Sequence, residues 1–141
     1  MKRTSQMKGA FWLVISTCIA LSIFNFSSQT STESGSLSLK LAQIFLPFLE
    51  IDTAHFLIRK MAHFTIFASL GFSLYRSFSF FKGQKPSVFW FCLGFLILYA
   101  GLDEFHQLFV SGRSGEIRDV CIDSCGGLLG ISLSFWLRKV F

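Results

Sequence analysis

SVFWFCLGFLILYAGLDEFHQLFV, residues 87–110, runs from Ser87 to Leu102 without a charge and then meets Asp103 and Glu104. Charge at the edge of hydrocarbon is costly, so it is usually paired, water-facing or functional. The apolar part is long enough for a buried helix, and its interfacial flank extends it toward the roughly 17 to 25 residues that a spanning helix needs. Three other stretches read the same way: residues 10–26, 61–81 and 120–137. The sequence therefore predicts an all-α, polytopic membrane four-helix bundle, with spans over about 10–26, 54–81, 87–110 and 119–137 in one domain, 1–141.

Composition agrees. Of 141 residues, 52% are hydrophobic, 19 are phenylalanine and 15% are charged, against about 25% charged in soluble globular chains. The N-terminal apolar run is not read as a cleaved signal peptide, because Asn25, Phe26, Ser27 and Ser28 lack the small-x-small pattern of a cleavage site.

Lysines and arginines orient the bundle. With the N-terminus inside, Lys2, Arg3, Lys8, Arg76, Lys82, Lys85, Arg138 and Lys139 face the cytoplasm, while Lys40, Arg59, Lys60, Arg113 and Arg118 lie outside. That imbalance follows the positive-inside rule. Trp12, Trp90, Trp136 and Tyr75 fall near the inner interface, where amphipathic rings anchor. The reading is a multi-pass membrane protein with both termini cytoplasmic. The net charge of +5 is explained by this sidedness, and no basic patch interleaved with stacking aromatics points to nucleic acid.

The same register puts all eight acidic residues outside: Glu33, Glu50, Asp52, Asp103, Glu104, Glu116, Asp119 and Asp123. The first outer loop opens polar over residues 27–36. It then turns amphipathic over 37–49, with Leu39, Leu41, Ile44, Phe45 and Phe48 suited to a short helix lying in the interface. Asp52 is placed to cap the second span.

Helical rise of about 1.5 Å per residue sets His63 and Asp103 roughly 27 Å and 24 Å from the inner boundary. Arg59, Lys60, His63, Asp103, Glu104, Gln107, Arg113, Asp119 and Asp123 thus meet at one level, the outer edge of the hydrocarbon. An ion-pair lock of Arg59, Lys60 and Arg113 with Asp103, Glu104 and Asp119 is the plain reading. Two histidines, His63 and His106, and a glutamine exceed what such a lock requires. Glu104 points about 100° from Asp103 on an ideal helix, so the two acids are not expected to face one partner equally. His63 with Glu104 suits acid–base catalysis. Arg59, Lys60, Asp103, Gln107, Arg113, Asp119 and Asp123 suit ligand binding, with the cations taking a phosphate or carboxylate. Carboxylates beside a histidine also suit a divalent cation, but no metal and no cofactor are assigned from sequence. Ser111 and Ser114 are nucleophile candidates only by proximity.

Gly126 and Gly130 give GxxxG spacing, a helix-packing device in lipid. Cys18, Cys92, Cys121 and Cys125 are read as packing residues, since Cys121 and Cys125 stack on one helix face and are poorly oriented for a disulfide.

The run DEFHQLFVSGRSGEIRDVCIDSCGGLLG, residues 103–130, resembles the signature of VanZ-like membrane proteins. RKMAHFTIF, residues 59–67, is similar to their second-span motif, and FSSQTSTESGSLS, residues 26–38, to their serine-rich outer loop. The family's polar positions fall here on Ser28, Gln29, Arg59, Lys60, His63, Asp103, Glu104, Gln107, Gly112, Arg113, Asp119 and Gly126. Three positions depart: Ser111 stands where proline is frequent, Asp123 where asparagine is, and Phe67 where tyrosine is.

The resemblance implies a small bacterial membrane protein with a theme of resistance to teicoplanin, a lipid-tailed glycopeptide. The expected function is binding of an amphiphile, either such an antibiotic or an envelope lipid intermediate, with membrane lipids as surroundings. The alternative is an enzyme modifying that amphiphile. A transporter fits poorly, because transporter sites lie near the midplane.

Overall fold

The computed structural model describes residues 2–137, so Arg138 and Lys139, counted above on the inner side, lie outside the described residues. Five helices follow one another: α1 (Lys2–Ser27), α2 (Ser31–Phe45), α3 (Ile51–Lys82), α4 (Pro86–Gln107) and α5 (Ile117–Leu137). The chain is all-helical, and α1, α4 and α5 are each long and apolar enough to cross a membrane.

The segment expected as the second span lies in α3, which has 32 residues and is about 48 Å long at 1.5 Å per residue. It falls short of the other three in apolarity for a structural reason. α3 is the central helix and packs against α1, α2, α4 and α5. Protein surrounds it, so its buried face carries Ser73, Ser77, Ser79 and Tyr75 beside Leu70 and Leu74. The outward faces carry the large apolar residues instead, among them Phe11, Val14, Trp90, Leu98, Leu133 and Trp136. Polar and small residues inside with apolar ones outside is the arrangement of a helical membrane bundle.

Contacts along the helices fix their directions. The Ser77 hydroxyl donates to the Gly9 carbonyl at 2.9 Å, and the Ser5 hydroxyl to the Phe80 carbonyl at 2.8 Å, so α1 and α3 run antiparallel. Tyr75 meets Phe89, and Phe67 meets Tyr99, so α3 and α4 do also. α5 runs parallel to α3. A side chain on Gly126 would strike the Phe64 carbonyl, one on Gly130 the Ala68 carbonyl, and one on Gly71 the Gly127 carbonyl. The GxxxG pair thus brings two backbones into contact, as small residues do in lipid.

The ends of the elements have local causes. Gly83, at φ 80°, closes α3, because this backbone region disfavours any side chain. Pro86 opens α4 at its first turn, where its missing N–H costs nothing. α4 stops at Gln107 rather than Val110, since Leu108, Phe109 and Val110 donate to carbonyls three residues back and tighten the chain into turns. Gly112, at φ 75°, then reverses it.

Three expectations are corrected. Asp52 is not the cap of α3: Glu50 holds that position, and Asp52 sits in the first turn, where its charge favours the helix dipole. The interfacial helix starts at Ser31 rather than 37, because the serine run is itself helical. Ser38 is buried and donates to the carbonyls of Ser34 and Gly35 at 2.9 and 3.1 Å. Tyr75 is not an interfacial anchor: it is buried between Phe89 and Phe135. Of the cysteines only Cys92 lies in the core, while Cys18, Cys121 and Cys125 are exposed on the apolar exterior.

Candidate functional site

The ionisable residues singled out from sequence meet at one end of the bundle, where α1 ends, α2 lies, α3 starts, α4 ends and α5 starts. They divide into three groups by what each touches.

The first group is a lock. Lys60 of α3 pairs with the Oδ2 of Asp119 at the start of α5, and its ammonium lies 5.1 Å from the centre of the Phe56 ring. Lys60 and Asp119 were expected as ligand-binding residues, and here they tie two parallel helices together. This is the one pair of the expected ion-pair lock found among the described residues. Among the described residues Arg118 also pairs with Glu116 on the exposed rim, and the His63 ring approaches Asp123, an ion pair only when the imidazole is protonated.

The second group is buried. Asp103, Glu104, Gln107 and Asp123 are 5%, 4%, 2% and 0% exposed. On an ideal helix Asp103 and Glu104 lie about 100° apart and do not face one partner equally. Here they share one: Gln107 Nε2 donates to Asp103 Oδ2 and to Glu104 Oε1, both at 3.1 Å. Gln107 stands four residues from Asp103 and three from Glu104, so its side chain rises between them. Glu104 Oε2 also accepts the Glu116 backbone N–H at 2.9 Å, which holds the loop onto α4. Asp123 Oδ2 lies 3.4 Å from His63 Nδ1. His63, Asp103, Glu104 and Asp123 offer ligand atoms that all lie within 4.8 Å of one another. His106 takes no part: its Nε2 faces the Ser28 hydroxyl at 3.1 Å, and its ring packs on Phe24.

The third group is cationic. Arg113 reaches back from the α4–α5 loop to three acceptors. Nε donates to the Gln29 carbonyl at 2.9 Å, Nη2 to the Phe26 carbonyl at 3.1 Å, and Nη1 to Gln107 Oε1 at 3.3 Å. A guanidinium has five N–H donors, so two remain. Burial, and then the positive charge of Arg59 beside it, push the Arg113 pKa down from its ordinary value. Arg59 itself is half-buried and makes no ion pair among the described residues.

Arg59, His63 and Arg113 line a cavity of about 230 Å³ between α1, α2 and α3. Its remaining wall is apolar or hydroxylic, with Ile23, Phe26, Leu41, Ile58 and Ile66 beside Ser27, Ser34 and Ser38. Leu41, Ile58, Ala62 and Ile66 also line an open groove between α2 and α3 that continues past Phe45 and Met61 to Ser69. On the other side, Arg59 and Arg113 border a small polar recess of about 120 Å³ with Lys60, Ser114, Glu116 and Asp119. The two arginines therefore stand between a polar recess and an apolar one.

A family model for VanZ/LLP1 matches residues 11–138, nearly the whole chain. The chain belongs to the VanZ/LLP1 family. It is thus a membrane protein of a family associated with glycopeptide resistance, and both motif-bearing segments, residues 59–67 and 103–130, lie inside the match. Neither the curated proteins nor the solved structures contain a significant match to it.

In this VanZ/LLP1 protein the cavity wall contributed by α1 and α2 was missed from sequence. The signal was present: Ser31, Ser34 and Ser38 recur at helical spacing, which marks one polar face of a helix rather than a loop. Ser111 and Ser114, the nucleophile candidates, stay at the loop, and Glu104, the expected acid–base partner of His63, is not among the residues lining the cavity.

Proposed function

We propose that this VanZ/LLP1 protein binds an anionic amphiphile, with its head against Arg59 and Arg113 and its tail along the groove between α2 and α3. The observation that carries this reading is the amphipathic cavity, in which two guanidinium-bearing side chains sit at the mouth of an apolar trough. A guanidinium recognises phosphate or carboxylate by charge-assisted, often bidentate bonds. Arg59 supports the reading further, because it has no partner within the described chain to satisfy it. A lipid-tailed glycopeptide and an anionic envelope lipid share this chemistry.

On this reading α3 crosses the membrane along with α1, α4 and α5, the termini are cytoplasmic, and the cavity opens at the outer leaflet of the bacterial cytoplasmic membrane. Lys60 and Asp119 hold the helices that frame the cavity and do not contact the ligand. Binding rather than acid–base catalysis is favoured, because Glu104 is committed to Gln107 and the Glu116 backbone.

The test is photo-crosslinking in nanodiscs with an anionic phospholipid that carries a photoreactive group in its acyl chain. Labelled peptides should cover residues around Leu41, Ile58 and Ile66, and labelling should fall sharply in Arg59→Gln. Uniform labelling over the outer faces of α1, α4 and α5, unchanged in Arg59→Gln, would rule the reading out.

A further inference from the structure

Three carboxylates buried side by side are a large local charge. Asp103, Glu104 and Asp123 are each at most 5% exposed. Among the described residues no lysine or arginine pairs with any of them, since Lys60 is taken by Asp119 and Arg118 by Glu116. Buried carboxylates are stable only when a proton or a cation balances them. Gln107 and the Glu116 backbone supply hydrogen bonds but no charge.

Geometry favours the cation. Two oxygens on opposite sides of an ion with bonds of about 2.3 Å stand about 4.6 Å apart, and the four ligand atoms here fall within 4.8 Å of one another. The separation of His63 Nδ1 from Asp123 Oδ2, 3.4 Å, is long for a hydrogen bond of about 2.7–3.2 Å but ordinary for two neighbouring ligands of one ion. A second observation is independent of the clustering. Asp123 is fully buried, and its Oδ1 has no hydrogen-bond partner. Within the described residues the carboxylate's contact is the long one from its other oxygen to His63.

We propose that His63, Asp103, Glu104 and Asp123 form a divalent-cation site that joins α3, α4 and α5. Three hard carboxylate oxygens and one imidazole match Mn²⁺ best: the oxygens exclude soft ions, and the imidazole sets the site apart from the all-oxygen cages of Ca²⁺. Gln107 is a positioning residue, since its amide orients two of the carboxylates as outer partners of metal ligands do. The site needs no amphiphile and stands whether or not the cavity binds one.

The experiment is Mn²⁺ titration of the purified, chelator-stripped full chain in detergent, followed by loss of the free-ion electron paramagnetic resonance signal. The expected result is saturable uptake of about one ion per chain. Asp103→Asn and Asp123→Asn should each weaken it by at least about tenfold, the scale of losing a metal-site partner. Asp52→Asn, exposed in the first turn of α3, should bind as the wild type does. Size-exclusion elution and helical circular dichroism identify any variant that does not fold. Should one fail, the wild-type stoichiometry and the other variant still decide. No saturable uptake by the wild type, or uptake by the folded variants as tight as the wild type's, would overturn the proposal and leave protons as the balancing charge.

Discussion

Gln107 Nε2 stands 3.1 Å from both Asp103 Oδ2 and Glu104 Oε1, so one amide holds two adjacent carboxylates of the same helix turned inward. That contact explains why consecutive acids on α4 are both buried, where helical geometry alone would send one outward. Replacing Gln107 with Glu would put a third carboxylate between them. Gln107→Glu should reduce thermal stability at neutral pH, while Gln107→Met, which adds no charge, should cost less. A thermal melt followed by circular dichroism in detergent compares them, and equal melting points would contradict the assignment.

Close backbone contact between α3 and α5 depends on glycine. A Cβ on Gly126 would meet the Phe64 carbonyl, whereas one on Gly94 would meet nothing within 4 Å. Gly126→Ala should therefore destabilise the protein by about 1–3 kcal/mol, the usual scale of overpacking. Gly94→Ala should be neutral or slightly stabilising, since alanine is the better helix former. Unfolding of both variants under matched detergent conditions measures the difference.

Lys60 and Asp119 face each other with side chains 16% and 13% exposed. Removing one partner leaves the other charge poorly solvated, so the Lys60→Met/Asp119→Leu double variant should destabilise by less than the sum of the two single variants. The coupling should be about 0.5–3 kcal/mol, read from a double-mutant cycle. Additive effects would show that the pair is not an energetic unit.

Arg113 holds the 108–116 loop by bonds to two backbone carbonyls of the α1–α2 corner and to Gln107. Lysine is a point donor and cannot reproduce the planar fork. Arg113→Lys should thus speed proteolysis of this loop several-fold while keeping the charge. Unchanged cleavage would mean the clamp is dispensable.

Much of this was legible because membrane chains carry few charges, so each one is a strong signal. Helical rise and the start of the last span put Arg59, Lys60, His63, Asp103, Glu104, Asp119 and Asp123 at one level, and they meet at one end of the bundle. What sequence could not show was how they pair. The acceptors of Arg113 at Phe26 and Gln29 are backbone carbonyls, which every residue has and no residue type announces. His106 turns to Ser28 and Phe24 because α1, distant in sequence, lies there. The central place of α3 was also hidden, since its serines read as ordinary span residues until the four helices around them were in place.

In the proposed function, Arg59 and Arg113 hold the head of an anionic amphiphile at the mouth of an apolar trough. The most direct measurement is binding of dodecyl phosphate, against its uncharged alcohol, to wild type and Arg59→Gln in nanodiscs by native mass spectrometry. The wild type should bind the phosphate saturably, Arg59→Gln at least about tenfold more weakly, in line with about 1.5–3 kcal/mol for a charge-assisted hydrogen bond, and the alcohol should bind little. Equal retention of phosphate and alcohol, unaffected by Arg59→Gln in a folded protein, would contradict it.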